Sequence, residues 1–321
     1  MRLVSFDDGT GARPGCLLDD GSVLDVGGIA RAAGLKEPRH LGELLVTLSS
    51  GRNHFRDVLE SFLDDGAPAE TALVVSVGCF RLEPPLAPGA RIVCAGANYR
   101  SHLEEMQGMA APSSVLWFTK PSTAVVGPAD PIVLPRQAPS QVDYEGELAA
   151  VIGRPCYRAS EGEALSCVGG YTLLNDVSAR DWVAPAFGAT DPQEVRVTWG
   201  RNLLGKQFPT FCPLGPTILT ADVVADPSRL HLFTRVNGAV VQDAWTSDLI
   251  VGVAALVSYL SQFMAFSPGD VISTGSPAGV GFARTPPVFL APGDLVEVEV
   301  EPIGVLSNPV EADALGSHVQ T

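Results

Sequence analysis

The sequence is short of positive charge. Its 321 residues carry 21 Lys and Arg against 36 Asp and Glu, a formal net charge of −15, and the cations form no cluster. Binding nucleic-acid phosphates or an anionic membrane surface requires such clusters, so neither is an expected partner. Cysteine is thin as well. Cys16, Cys79, Cys94, Cys156, Cys167 and Cys212 are scattered, with no C-x-x-C and no pairing with histidine. That predicts reduced, mostly buried thiols. Long apolar runs are missing too. Residues 249–266 (LIVGVAALVSYLSQFMAF) come nearest, but Ser258, Ser261 and Gln262 interrupt them and Ser267-Pro-Gly-Asp270 ends them. A membrane span needs about 20 mostly apolar residues, so a buried core helix is predicted there. The opening MRLVSFDDGT has no signal-peptide core, and a cytoplasmic protein is expected.

Several nucleotide and nucleophile signatures are also absent. There is no G-x-G-x-x-G and no G-x-S-x-G. Gly200-Arg-Asn-Leu-Leu-Gly205-Lys206 has the spacing of a phosphate-binding loop, yet Gln207 stands where a Ser or Thr would hold magnesium. Pro209 and Pro213 exclude the helix that must follow. His40, His54, His231 and His318 lie in segments with no other catalytic feature.

What is present points to a folded, strand-rich α+β chain of roughly two domains, or one large and one small. Hydrophobic residues make up 46% and charged ones 18%, while 33 glycines and 26 prolines are spread without a period. Such a composition suits short strands joined by turns. Short strands are predicted at Leu3–Phe6, Cys16–Leu18 and Val23–Val26. Residues 41–64 read as helical, with Phe55, Val58, Leu59, Phe62 and Leu63 on one face and Gly66 as the stop. Glu83-Pro-Pro-Leu-Ala-Pro-Gly89 is the most linker-like stretch, since its prolines forbid helix and sheet interior. The boundary is placed there: a small N-terminal domain over 1–84, a main domain over 85–312 and a tail over 313–321. In the main domain, Arg91–Ala95 and Leu148–Ile152 read as apolar strands. His231–Val236 and Val240–Ala244 flank Asn237-Gly238, a strong hairpin signal. Val296, Val298 and Val300 alternate with glutamates, as in a half-buried strand.

Three stretches carry chemistry. In Gln141-Val-Asp-Tyr-Glu145-Gly-Glu147, two carboxylates stand two apart before the apolar run. On a strand they share a face, and Gly146 lets another backbone or a ligand come close on the opposite side. A polar strand end in water is the alternative. A divalent cation makes two such like charges favourable, and hard oxygen ligands suit magnesium or manganese. Asp176 follows the strand-like Gly170–Asn175; alternatively it caps a turn or helix, with Arg180 and Asp181 paired. In Asn98–Met106, Ser101 with Glu104 reads as a capping box starting a short helix. His102 and Glu105 then sit at i and i+3, within reach of each other, as an oriented general base or as an exposed helix pair.

Taken together, these stretches resemble the fumarylacetoacetate hydrolase superfamily over about residues 88–312. The resemblance lies in Arg91–Met106, Val142–Gly153, Gly170–Asp181, Gly205-Lys206, Val236–Gln242 and Pro268–Gly281. It implies a mixed β-sandwich roll, usually homodimeric, behind a small N-terminal α+β domain. It also implies magnesium, with manganese as the alternative, held by Glu145, Glu147 and Asp176. His102 with Glu105 would activate water and Lys206 would support an oxyanion. Thr274, Gly275 and nearby amides would grip a substrate carboxylate, and Gln242 would contact substrate. The expected reaction is C–C cleavage of an acylpyruvate-like β-diketo acid. A 2-oxo acid decarboxylase, hydratase or tautomerase, and a silent ligand-binding homologue, are the alternatives. Gln207-Phe208-Pro209 replaces the Ser-Phe-Asp of many members, and Ser276 replaces a threonine. Residues 182–201, with Pro185, Phe187 and Trp199, are longer and more distinctive than usual, which implies an unusual substrate.

Overall fold

In the computed structural model, which describes residues 1–51, 53–64, 73–106, 110–182 and 190–313, the apolar run ending at Ile152 lies inside a large sheet. The strand is Gly146–Ile152, and all its residues are buried. Leu148, Ala150 and Ile152 enter one apolar core, while Ala149 and Val151 enter another. A strand covered on both faces needs no polar alternation, which explains the unbroken run in the sequence.

The large sheet places Cys212–Thr220, Val168–Asn175, Gly146–Ile152, Val271–Ser273, Ile92–Gly96 and Leu116–Lys120 side by side. Its neighbours are antiparallel except for Val271–Ser273 beside Ile92–Gly96 and the short Val125–Val126 beside Cys212–Thr220. Beyond Cys212–Thr220 the sheet continues into Arg2–Asp7, Arg13–Leu17 and Val23–Asp25, so these N-terminal strands extend the same sheet. A second sheet runs Ala239–Trp245, His231–Val236, Leu295–Val300, Gly304–Ala312 and Ile132–Leu134. Leu148 and Leu173 of the first sheet share a core with Leu232, Val298 and Leu306 of the second. The other face of the large sheet is covered by helices Val26–Ala32, Leu41–Ser49 and His54–Asp64 through Ile29, Leu44, Leu45 and Leu59. The architecture is the strand-rich α+β sandwich that the sequence predicts.

Local readings fare unevenly. Asn237 and Gly238 take φ of 53° and 79°, the left-handed pair of a tight hairpin, as predicted. The helical stretch 41–64 is two helices and not one. Ser49 ends the first, and Gly51, at φ 87°, turns the chain before the second. The stop at Gly66, and most of the tail, lie outside the described residues. Val253–Ser261 is a nine-residue core helix, and among the described residues no helix is long and apolar enough to cross a membrane. All six cysteines are free. Cys16, Cys94, Cys156 and Cys212 are buried, and Cys79 is exposed.

Gly146 joins this packing to the acidic residues beside it. A Cβ there would lie 2.1 Å from Thr234 Oγ1 and 3.1 Å from Val298 Cγ1, both on the second sheet. The close approach read from the sequence is therefore sheet against sheet. Gly146→Ala should destabilise the fold by about 1–3 kcal/mol through overpacking. If Glu145, Glu147 and Asp176 hold a divalent cation, the variant should also bind it more weakly, because the strained residue lies between Glu145 and Glu147. Thermal melting and magnesium titration of the variant check both effects, and an unchanged Tm would contradict the packing argument.

Candidate active site

Strand ends assemble the acidic group. Val142–Asp143 pairs with Ser178–Ala179, and Gly146–Ile152 pairs with Val168–Asn175, so Glu145 and Asp176 emerge side by side. Asp176 N donates to the Glu145 carbonyl at 2.8 Å, and Glu145 N donates to Asn175 Oδ1 at 2.9 Å. The structure thus brings Glu145, Glu147 and Asp176 together: each offers an oxygen, all lie within 4.8 Å of one another, and all three are buried.

Like charges this close and this buried require compensation. Lys206 supplies part of it, with Nζ 2.5 Å from Asp176, 3.1 Å from Glu145 and 2.8 Å from Ser178 Oγ. Lys120 pairs with Asp176, and Arg180 bridges Glu145 and Asp143, the latter at 3.0 Å. Burial alone would raise the Glu145 carboxyl, but Lys206 and Arg180 outweigh it and hold it well below its ordinary value. Burial likewise opposes the charge of Lys206, yet Asp176 and Glu145 raise its pKa. Glu147 differs. It accepts from the Ser273 hydroxyl and from Gly275 N at 3.2 Å, and among the described residues no cation pairs with it. Burial, then Asp176 and Glu145, push its carboxyl well above the ordinary range. A dication among the three oxygens would reverse that push. The donor set, hard and anionic with one uncompensated carboxylate, therefore fits a divalent cation.

His102 and Glu105 lie on the short helix Arg100–Glu105. Its N-terminus is not closed by the Ser101–Glu104 capping box that the sequence suggests; instead Ser101 N donates to Asp248 Oδ2 at 3.0 Å. The Arg100 guanidinium also donates to the Asp248 and Leu249 carbonyls at 3.0 Å each. A distant loop can supply a cap that local spacing cannot reveal. His102 Nδ1 and Glu105 Oε1 are 2.7 Å apart, and Gly279 N donates to the other Glu105 oxygen at 2.8 Å. That pairing leaves Nε2 as the second ring nitrogen, and His102 lines the cleft above the carboxylates.

Lys206 arrives from the failed phosphate-loop pattern. Residues 200–204 are the end of helix Pro192–Leu204, and Gly205 follows against the neighbouring strand. Ala179 N donates to the Gly205 carbonyl at 2.9 Å, and a Cβ at Gly205 would lie 2.9 Å from the Ala179 carbonyl. This close approach seats Lys206 beside Ser178.

The expected substrate contacts fall differently. Thr274 is fully buried and its hydroxyl donates to the Leu148 carbonyl at 2.9 Å; in its loop it is Ser276 that reaches the cleft wall. Gln242 accepts from Gly146 N at 2.9 Å and donates to Ser276 Oγ and the Pro277 carbonyl, so it braces the Glu145–Glu147 backbone. Gly275, at φ 98°, aims its N–H at Glu147 and has Asn98 Cβ 3.1 Å from where its own Cβ would stand.

Three groups bonded to the carboxylates escaped the sequence reading. Lys120 carried one faint signal, a lysine closing an apolar strand before Pro121. Ser273 looked like ordinary strand. Arg180 was considered as a partner of Asp181, but it pairs with Asp143 and Glu145, while Asp181 Oδ2 accepts from Gln141 N at 3.1 Å. Arg180 and Asp181 open the short 3-10 turn Arg180–Trp182, where successive side chains point in different directions. Of the distinctive 182–201 stretch, Pro185 and Phe187 lie outside the described residues. Trp199 lines the cleft, whose volume is about 340 Å³.

The raised Glu147 carboxyl has a sign that can be tested. The folded, metal-free chain keeps this proton at pH values where the unfolded chain, near the ordinary 4.5, has lost it. The folded state then binds more protons, so a rise in pH above that value erodes the stability of the metal-free protein. A bound dication displaces the proton. The Tm difference between magnesium and EDTA should therefore widen as pH rises, and magnesium binding should release protons into a weak buffer. A pH-independent difference would count against this.

Comparisons with known proteins supply the family. Residues 91–311 match the fumarylacetoacetate hydrolase C-terminal family. The chain is 37% identical over 313 residues to the mitochondrial oxaloacetate tautomerase fahd2 of Xenopus laevis, covering 97% of this chain and 90% of that one. A solved fumarylacetoacetate hydrolase from Exiguobacterium antarcticum superposes with TM-score 0.76 at 33% identity, over 98% of this chain and 100% of that chain. A 5-carboxymethyl-2-hydroxymuconate delta-isomerase from Mycobacterium smegmatis superposes with TM-score 0.69 at 34% identity, with the same coverage of each. With its strand-end carboxylates, its His-Glu pair and these likenesses over nearly its whole length, the chain belongs to the fumarylacetoacetate hydrolase family of enzymes.

Proposed function

We propose that the chain is a divalent-metal-dependent enzyme that forms and quenches the enolate of a 2-oxo acid, with keto–enol tautomerisation as its reaction. The observation that carries this reading is the cleft itself: His102, oriented by Glu105, shares its walls with Glu145, Glu147, Asp176 and Lys206. Magnesium or manganese held by Glu145, Glu147 and Asp176 would supply Lewis acidity toward the 2-oxo oxygen.

The chain's own groups perform the remaining steps. Lys206, buried and held protonated by Asp176 and Glu145, places fixed positive charge where negative charge develops on oxygen. His102 Nε2 takes the C3 proton as the C3–H electron pair moves into the enolate. The same imidazolium then returns a proton to carbon or to the enol oxygen. Glu105 fixes the tautomer and steadies the transient charge, and Gly279 N–H keeps Glu105 in place. The tautomerase and isomerase names of two relatives support this outcome.

Hydrolysis of an acylpyruvate-like β-diketo acid is the second reading, favoured by the same hydrogen-bonded pair. His102 would then take a proton from water, and the hydroxide would add to the C4 carbonyl. The C3–C4 bond breaks with its electron pair on C3, giving a carboxylic acid and the enol of pyruvate.

The readings separate by product. With magnesium, the enols of oxaloacetate and phenylpyruvate should convert to the keto form faster than in buffer, followed by loss of enol absorbance. EDTA should abolish the acceleration, and His102→Ala should reduce it by about 10²- to 10⁴-fold. Carboxylic acid plus pyruvate from acetylpyruvate, seen by NMR without accelerated tautomerisation, would replace the first reading by the second. A rate indifferent to EDTA would sink both.

A further inference from the structure

The loop over residues 275–282 is held at both ends by groups of the acidic site. At its start, Glu147 accepts from Gly275 N at 3.2 Å, and Gln242 donates to Ser276 Oγ and the Pro277 carbonyl at 2.8 and 2.9 Å. At its end sits Asp143. One oxygen of that buried carboxylate accepts from Gly281 N at 2.8 Å and the other from Phe282 N at 3.0 Å. A Cβ at Gly281 would lie 2.7 Å from Asp143 Oδ1, so a larger residue would disturb this seat. Between the two ends, Ser276, Val280 and Phe282 line the cleft.

The middle of the loop meets the helix that carries the His-Glu pair. Gly279 N donates at 2.8 Å to Glu105 Oε2, the oxygen that His102 does not use. Gly279 takes φ 107°, and a Cβ there would stand 2.0 Å from the Val241 carbonyl oxygen, so glycine alone fits this passage. On the other side of the same residue, the Tyr144 hydroxyl donates to the Gly279 carbonyl at 3.1 Å. Tyr144 is buried, in one apolar cluster with Val142, Phe211 and Leu290. The contacts therefore run from His102 to Glu105, to Gly279 and to Tyr144, whose backbone continues directly into Glu145. A carboxylate engaged at both oxygens cannot rotate freely, and it aims the imidazole that it binds.

We propose that Tyr144 is a positioning residue for the His102–Glu105 pair: acting through Gly279, its hydroxyl sets where the imidazole stands relative to the neighbouring Glu145 carboxylate. The inference rests on the proton-transfer reading of that pair. It gives a role to the residue of the stretch Gln141–Glu147 that supplies neither charge nor close approach.

The test uses the full chain with saturating magnesium. Phenylalanine keeps the ring in its cluster and removes only the hydroxyl, so Tyr144→Phe should fold, with thermal melting as the check. Ketonisation of the enol of oxaloacetate should lose about three- to tenfold in kcat, with KM and the magnesium Kd from calorimetry within about twofold. In a Glu105→Ala background the same substitution should change kcat by less than about 1.5-fold, because the group it acts through is gone. Gly279→Ala, which disturbs the same contact from the loop side, should show the same loss and the same silence. A further readout needs no turnover. The His102 Nδ1–H signal in ¹⁵N NMR, assigned by its disappearance in His102→Ala, should exchange with water about three- to tenfold faster in Tyr144→Phe. An equal loss of kcat with Glu105 removed would mean that Tyr144 acts through packing, and would overturn the inference. So would a His102 proton whose exchange ignores the hydroxyl, or a weaker magnesium Kd with kcat intact. If the unaltered chain does not speed ketonisation while the proton responds as expected, the positioning role stands and the enolate reading fails.

Discussion

The structure depends on keeping four carboxylates together where water cannot screen them. Asp143, Glu145, Glu147 and Asp176 are buried, and any two of them would repel strongly in such surroundings. Three cations hold most of this charge. Arg180 spans Asp143 and Glu145, while Lys120 and Lys206 take the two oxygens of Asp176. The arrangement is one positive charge short, and the deficit falls on Glu147, which has only neutral donors. A site that is incomplete by one charge, and incomplete at hard oxygen atoms, is one that could hold a cation.

The fold supplies the rigidity that such a charge group needs. Glu145 and Asp176 sit at the ends of paired strands, their backbones tied by the Asp176 N–H to the Glu145 carbonyl. Gly146 lets the second sheet press against the first directly behind them, and Gln242 reaches from that second sheet to hold the Gly146 N–H. Thr274 and Gly275, considered as substrate contacts, serve the same support, one through the Leu148 carbonyl and one through Glu147. The His102–Glu105 pair is anchored by Asp248 at one end of its helix and, at the other, by Gly279 of the same loop whose Gly275 N–H holds Glu147. The carboxylates and the His-Glu pair thus share one supporting loop and meet at the cleft.

Much of this was legible in the residues. Glu145 and Glu147 two apart before an apolar run, Asp176 after a second run, and His102 three before Glu105 are local patterns, and the structure brings them together. The Asn237-Gly238 hairpin and the buried strand Gly146–Ile152 were legible for the same reason. Other readings failed where the partner lies far along the chain. Asp248 caps a helix that begins 148 residues earlier, so the Ser101–Glu104 box was the nearest candidate and the wrong one. Arg180 stands next to Asp181 in the chain, but the turn Arg180–Trp182 sends it to Asp143 and Glu145. Lys120 contributes to a charge balance whose other members are spread from Asp143 to Lys206.

By itself, then, the sequence determined the elements and the donors: which runs are strands, where the turns fall, and which carboxylates stand at strand ends. These depend on contacts between near neighbours, and near neighbours are what spacing encodes. Only the tertiary structure decided which cations balance those donors, which residues brace and which face the cleft. Those outcomes depend on strands and loops meeting across 30 to 174 residues of chain, and buried charge is balanced by whatever the fold brings within a few ångströms, whatever its place in the chain.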